Sequence, residues 1–368
     1  MYIFTDLLLL LFTFLNHFSK NRKLISLCFF IAFIWLLFHD GFRWETGTDW
    51  LSYYPHFMHC LDNATMPELA YQKLCELIRS ISSNYSIFLI IHASIIYLLF
   101  FDSISRYSCN KFLSLFLFYC MMLPYLGMNR QYISLAIIVF SFKFIIDRKR
   151  FYAIVLFIIA LLFHYSVIIC IPILFLNIKL NNRFYIYAFI FAMIINQMKV
   201  FNSIPSSMFL FLGDDIAKKA YEYMSLTDYA GNISILFYLL GISKRLIFVA
   251  IIMKYRKVLE SKTPYFNLFL NLYFIGVVFY ILFYNSIFQI LVSRGLLYYN
   301  IVEIFLFPLL VSCFAGKYNK ILYITLIVMY GITNQIKGLD SYVRPGYDDC
   351  FRPYKGLFIN TNVKRTMN

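Results

Sequence analysis

The feature that most constrains this chain is a succession of apolar runs, each near the length a helix needs to cross a bilayer. A hydrocarbon core of about 30 Å takes about 20 helical residues, fewer where the bilayer thins. Runs of that order occupy residues 2–18, 24–38, 85–101, 112–127, 133–146, 233–253, 266–284, 296–314 and 321–333. Composition agrees, since 61% of the 368 residues are hydrophobic and 14% charged. A soluble domain has about 45–50% and about 25%. A soluble enzyme, a disordered chain and a fibrous repeat are thereby excluded. The 42 Phe and 31 Tyr, against 13 Gly and 9 Pro, point to a densely packed helical body. The expected fold is all-α, a polytopic integral membrane protein of about 10–12 transmembrane helices.

Charge placement orients the spans. A net charge of +15 would suggest nucleic acid in a soluble protein. Here it reflects basic loops flanking spans, and no nucleic-acid partner is expected. The run 2–18 has no basic start or small-residue cleavage site, and Lys20, Arg22 and Lys23 follow it. It reads as a span and not as a cleaved signal. Read as two simple spans, residues 151–198 would put Lys254-Tyr255-Arg256-Lys257 outside, against the cytoplasmic excess of Lys and Arg. A hairpin of short or re-entrant helices over 151–176, turning near His164-Tyr165-Ser166, repairs the parity. Irregular backbone at that depth must be buried in protein or line a cavity. Residues 1–368 then form one polytopic domain with three outer segments. These are a loop with an interfacial helix (40–84), a loop (199–232) carrying Asp214-Asp215, and a C-terminal tail (336–368).

Several unusual polar groups collect at the outer face under this topology. The loop Gly41–Trp50 holds Arg43, Trp44, Asp49 and Trp50. Arg130 sits in Met128-Asn129-Arg130-Gln131, which separates two spans with almost no loop. His164 lies at the hairpin tip, Arg294 opens the span from Leu296, and Lys244-Arg245 falls inside an apolar stretch. Each has a plain alternative. Interfacial arginines snorkel to head groups, Lys244-Arg245 marks a span starting later, His164 packs among apolar neighbours, and Trp44 and Trp50 anchor the interface. His56 and His59, at i, i+3 spacing, are too few ligands for a metal site. Neither C-x-x-C nor D-x-D occurs, so no metal or cofactor is expected. Together, arginines at one face with a candidate base and aromatic rings suit a lipid-linked, phosphate-bearing substrate.

Four stretches in order carry a resemblance. They are Arg43-x-x-x-Gly47-Thr48-Asp49-x-x-x-Tyr53, Asn129-Arg130-Gln131-Tyr132-Ile133-Ser134-Leu135-Ala136, Phe163-His164-Tyr165-Ser166, and Ser293-Arg294-Gly295-Leu296-Leu297-Tyr298-Tyr299. The ending Arg352-Pro353-Tyr354 agrees less specifically. The chain resembles the EpsG-like branch of bacterial polysaccharide polymerases, which includes Wzy-type O-antigen polymerases. Departures are Trp44-Glu45-Thr46 before the Gly-Thr-Asp, and Trp50 where Tyr is expected.

The resemblance implies glycosyl transfer at the periplasmic face of the bacterial inner membrane. A growing glycan would move from undecaprenyl pyrophosphate onto a lipid-linked repeat unit, with a chain-length regulator as a further partner. On that reading Arg130 and Arg294 take the pyrophosphate, and Arg43 or Arg245 makes further phosphate or acceptor contacts. Trp44 and Trp50 offer faces for sugar rings. His164 is the first candidate for the base and Asp49 the second, unless Asp49 instead orients Arg43. Competing readings are a flippase or exporter of lipid-linked oligosaccharide, an acyltransferase modifying a polysaccharide, and a ligase.

Overall fold

The computed structural model describes residues 1–19, 21–62, 65–203, 235–284, 286, 288, 291–343 and 346–365. Among them the structure is helical and contains no strand, only an isolated bridge between Arg43 and Gly356. The α-helices run α1 (Tyr2–Phe18), α2 (Arg22–Gly41), α3 (Trp50–His59), α4 (Leu69–Ile81) and α5 (Tyr85–Tyr107). Next come α6 (Lys111–Met122), α7 (Asn129–Ile146), α8 (Arg150–Phe163), α9 (Asn182–Gln197) and α10 (Ile235–Lys254). The chain ends with α11 (Arg256–Lys262), α12 (Phe266–Phe283), α13 (Leu297–Asn300), α14 (Glu303–Leu310) and α15 (Lys317–Asp340). The all-α polytopic architecture read from the sequence is therefore the one that forms. Helices α2, α5, α7 and α12 are long and apolar enough to cross a bilayer, and shorter apolar helices accompany them.

Asparagine starts several of these helices. Asn21, Asn84, Asn110 and Asn181 precede α2, α5, α6 and α9, and each side chain accepts a backbone N–H that the helix cannot satisfy. Proline shapes other ends. The run 112–127 leaves α-helix at Met122 for a 3₁₀ turn, Leu123–Tyr125, containing Pro124. The run 296–314 divides into α13, α14 with Pro308, and a 3₁₀ turn at Val311–Cys313. Residues 151–176 are two short helices, α8 and a 3₁₀ helix Tyr165–Phe175. His164 parts them with extended backbone, φ −158° and ψ 122°. Lys244-Arg245 does not mark a helix start, because α10 runs unbroken through it. The acidic pair Asp214-Asp215, most of the loop 199–232, and Lys20 lie outside the described residues.

The chain divides into two compact units, Met1–Leu174 with Ile304–Asn368, and Phe175–Glu303. In the first, α7 packs between α5 and α8, α2 lies on α5, and α1 and α15 lie on α6. The apolar stretch of α7 is 72% buried and that of α2 only 33%, which makes α7 the interior helix. Helix α1 leaves Phe4, Leu7, Leu11, Phe14 and Phe18 exposed in one stripe. Such a stripe belongs against lipid. In the second unit α9, α10 and α11 pack on α12.

At one end of the first unit, residues 42–49 lie between the C-terminal tail and the α6–α7 connection. The tail meets them through Trp44 N to Lys355 O (3.0 Å), Gly47 N to Cys350 O (2.9 Å) and Leu357 N to Phe42 O (2.9 Å). Tyr354 donates to His39 O (2.7 Å), and Lys355 pairs with Glu45. On the other side, Thr48 N donates to Leu126 O (2.8 Å). Gly47 and Gly127 cross there, both with φ 102°. A Cβ on Gly47 would stand 2.4 Å from Leu126 O, and one on Gly127 would stand 2.1 Å from Thr48 O. Backbone touches backbone, so neither neighbour can yield.

Gly47→Ala and Gly127→Ala should each cost upwards of about 2 kcal/mol, from left-handed strain together with the clash. Gly346→Ala is the control, because Gly346 also has positive φ but open space around it. Melting temperatures in detergent should drop most for the first two variants and less for the third, which carries the backbone strain without the clash. Equal behaviour of all three would contradict the crossing.

Candidate functional site

Arg43 follows the residue that caps α2, Phe42, and is 1% exposed. Its Nη1 donates to the Asp40 carbonyl (3.1 Å) and pairs with the Asp40 carboxylate, and its Nη2 donates to Asn129 Oδ1 (2.7 Å). The acid on Arg43 is thus Asp40, one turn before it, and not Asp49. Asn129 in turn donates through Nδ2 to the Tyr85 hydroxyl (3.4 Å). His92 donates through Nε2 to the Asn129 carbonyl (2.9 Å), since a carbonyl can only accept. Asp40 Oδ2, Arg43 Nε and His92 Nδ1 are buried with no hydrogen-bond partner. A buried ion pair so incompletely satisfied adds little net stability, although removing one partner is costly. What it fixes is geometry, tying the end of α2 to the first residue of α7.

The next residue is Arg130. Its Nε donates to the Tyr53 hydroxyl (2.9 Å), its Nη1 pairs with Glu68, and the guanidinium lies 5.4 Å from the Tyr53 ring centre. Glu68 is 5% exposed and Arg130 23%. The guanidinium is therefore clamped on two sides and keeps a solvent-facing edge. Burial pushes the Tyr53 phenol up, and the Arg130 charge opposes this without cancelling it. Tyr53 thus stays a neutral hydroxyl. Arg43 and Arg130 occupy neighbouring places with opposite exposures, one sealed and one open.

Helix α3 lays a stripe beside this clamp. Asp49, Tyr53 and His56 stand at i, i+4 and i+7, and so share a face. Asp49 is exposed at the α3 amino end with φ 57°, where the helix dipole favours a carboxylate. His56 is 6% exposed, stacks at 6.2 Å on Tyr71, and its Nε2 is buried without a partner. Burial first, then the Arg130 charge, lowers its pKa from 6.5.

His164 borders the same region. Phe163 packs on the aromatic core of α3, α4 and α5, and the Tyr165 hydroxyl donates to the Pro67 carbonyl, next to Glu68. His164 Nδ1 accepts from Ser166 N (3.2 Å) and lies 2.6 Å from Ser166 Oγ. A ring nitrogen that accepts from a backbone N–H carries no proton. Neutral His164 therefore holds its proton on Nε2 and offers a donor there.

Trp50 is buried among aromatic rings, stacked on Tyr54 (5.9 Å, 11°) and edge-on to Tyr85 (5.2 Å). Trp44, half-buried, packs against both Trp50 and Tyr54. Of the two, Trp44 keeps a surface a sugar ring can reach. The first unit thus brings together Arg43, Trp44, Asp49, Trp50, Arg130 and His164. Arg245 and Arg294 belong to the second unit. Arg245 donates to Gly241 O (3.0 Å) and sits 3.8 Å over the Tyr280 ring. Arg294 lies, half-buried, in a π-helical turn, Leu291–Gly295. Sequence reasoning missed Asp40 and Glu68. Asp40 stands at i−3 from Arg43, a spacing that could have revealed it, whereas Glu68 is 62 residues from Arg130. Among the described residues no group of three or more His, Cys, Asp or Glu is arranged to hold a metal.

No curated protein and no solved structure matches the chain. A family model does, that of the EpsG family, over residues 26–355.

Arg43→Gln, which strands Asp40, should cost about 3–5 kcal/mol of stability, whereas Arg130→Gln at the half-open clamp should cost less. Folded yield and melting temperature distinguish the two. His56 supplies a pH test. A histidine whose folded pKa is depressed destabilises the fold as pH falls below its ordinary value of 6.5, because the unfolded chain then binds more protons. Acid sensitivity below about pH 6.5 should flatten in His56→Gln, and an unchanged profile would contradict the neutral, buried ring.

Proposed function

The chain belongs to the EpsG family, and on that premise we propose that it elongates a bacterial surface polysaccharide from lipid-linked repeat units. The family is one of polysaccharide-polymerase-type membrane proteins. In this reading the growing glycan leaves undecaprenyl pyrophosphate and joins a sugar hydroxyl of the next repeat unit. The reaction takes place at the periplasmic face of the inner membrane, with a chain-length regulator as a further partner. The observation that carries the proposal is the Arg130 clamp, a guanidinium oriented by Tyr53 and Glu68 with one edge open.

Breaking the bond from the anomeric carbon to the pyrophosphate oxygen sends the electron pair to the diphosphate. Charge builds there, and a preoriented guanidinium stabilises it more than water could. Arg130 has that role. His164, with Nε2–H as donor, adds a hydrogen bond to the same leaving group. The acceptor hydroxyl oxygen forms the new bond to the anomeric carbon, and its proton goes to Asp49, the exposed carboxylate on the stripe that carries Tyr53. Arg43 holds Asn129, and through it the start of α7, in place. Trp44 offers its ring to a sugar. These roles fall on first-unit residues; the pyrophosphate role read for Arg294 and the phosphate or acceptor contact read for Arg245 are tested by Arg294→Ala and Arg245→Ala in the same assay.

The experiment is glycan chain length on cells carrying single variants at normal protein levels. Arg130→Ala should slow elongation by about 10²–10³-fold and leave mostly single repeats, with Arg130→Lys only partly better. Asp49→Asn should cost about 10²–10⁴-fold. His164→Gln, which keeps a donor, should outperform His164→Ala. Long chains from Arg130→Ala would overturn the proposal, and loss of all surface glycan, single repeats included, would point to a flippase.

A further inference from the structure

A second charged site lies within the other unit. The residues before α9 and those joining α10 to α11 enclose an open cavity of about 570 Å³. Lys179, Lys254, Arg256 and Lys257 line it, against a single carboxylate, Glu260.

The wall is built by Arg256, which is 7% exposed. It donates through Nε to Glu260 (2.9 Å), through Nη1 to Asn182 Oδ1 (2.5 Å) and through Nη2 to the Leu180 carbonyl (2.8 Å). All three guanidinium nitrogens serve the scaffold, so the two sides of the cavity are locked together. Lys179 adds a second hold on Glu260 at 2.7 Å. Burial alone would raise the Glu260 carboxyl, but the hydrogen bonds from Lys179 and Arg256 outweigh it and lower the pKa. Glu260 is thus an anion already compensated twice. Lys254 and Lys257 remain exposed, with no carboxylate on either among the described residues. The amino end of α9, sixteen residues long and capped by Asn181, closes the same cavity with the positive end of its dipole.

The rim is apolar. Ile178 and Val258 are exposed beside the lysines, and α9 carries Phe184, Tyr187, Phe191 and Ile194 exposed along its length. A soluble anion has no use for that face, whereas acyl chains do. We infer that this cavity binds the phosphate head group of an anionic phospholipid, with Lys254 and Lys257 on the phosphate and the acyl chains along α9. The volume suits a head group, and basic pockets flanked by membrane helices recognise such lipids.

The test uses purified full-length protein in detergent, titrated with phosphatidylglycerol, with phosphatidylcholine and with sodium phosphate, and read by thermal stabilisation. Phosphatidylglycerol should stabilise the wild type saturably. The Lys254→Gln/Lys257→Gln variant should bind it about 30-fold more weakly, from two lysines near the surface. Both lysines are exposed, so the variant should melt at the wild-type temperature without lipid, and Lys320→Gln serves as a charge control elsewhere. Undiminished binding by the double variant, or equal stabilisation by phosphatidylcholine, would overturn the site. Equal stabilisation by sodium phosphate alone would overturn the lipid assignment in favour of a soluble anion.

Discussion

The buried bridge from Asp40 through Arg43 to Asn129 is the contact on which the candidate site depends. It joins the end of α2 to the start of α7 across 86 residues of sequence, between side chains that are both buried. The polar groups left unpartnered around it show that stability is not its main yield. Its effect is to fix where α7 begins, and Arg130 is the second residue of that helix. Gly47 and Gly127 reinforce the same junction by letting two backbones meet where no side chain fits. The C-terminal tail then covers the loop from the far side.

Two adjacent arginine positions show how burial sorts function. Arg43 is 1% exposed and its charge is answered by Asp40. Arg130 is held just as firmly, by a phenol and a carboxylate, yet retains an open edge. A preoriented, partly desolvated guanidinium suits a leaving diphosphate, because little reorganisation is needed as charge develops. Asp49 at the open end of the α3 stripe and His56 at its closed end follow the same rule.

The helices were largely legible from apolar runs. Residues 2–18 and 266–284 were read nearly to their ends as α1 and α12, and the break at His164 fell where loop parity required one. Proline obscured the runs holding Pro124 and Pro308, since composition counts apolar residues without regard to whether they continue a helix. Within the site, Arg43, Asp49, Arg130 and His164 stood out by being polar at the edge of apolar runs. Their partners did not. Glu68 lies 62 residues from Arg130, and the tail residues Tyr354 and Lys355 lie more than 300 residues from what they touch. Trp50 reads as a sugar-stacking face or an interface anchor, but Tyr54 on its own helix and Tyr85 at the start of a later span pack over it. Which His164 nitrogen carries the proton depends on Ser166 geometry that spacing does not encode.

The central claim is that Arg130 is the group that grips the lipid diphosphate. Equilibrium binding of undecaprenyl pyrophosphate to the purified wild type and to Arg130→Ala, matched for melting temperature, tests it most directly. One lost charge-assisted hydrogen-bond donor should weaken the complex about 10–100-fold. An Arg130→Ala protein that binds with wild-type affinity would contradict the account.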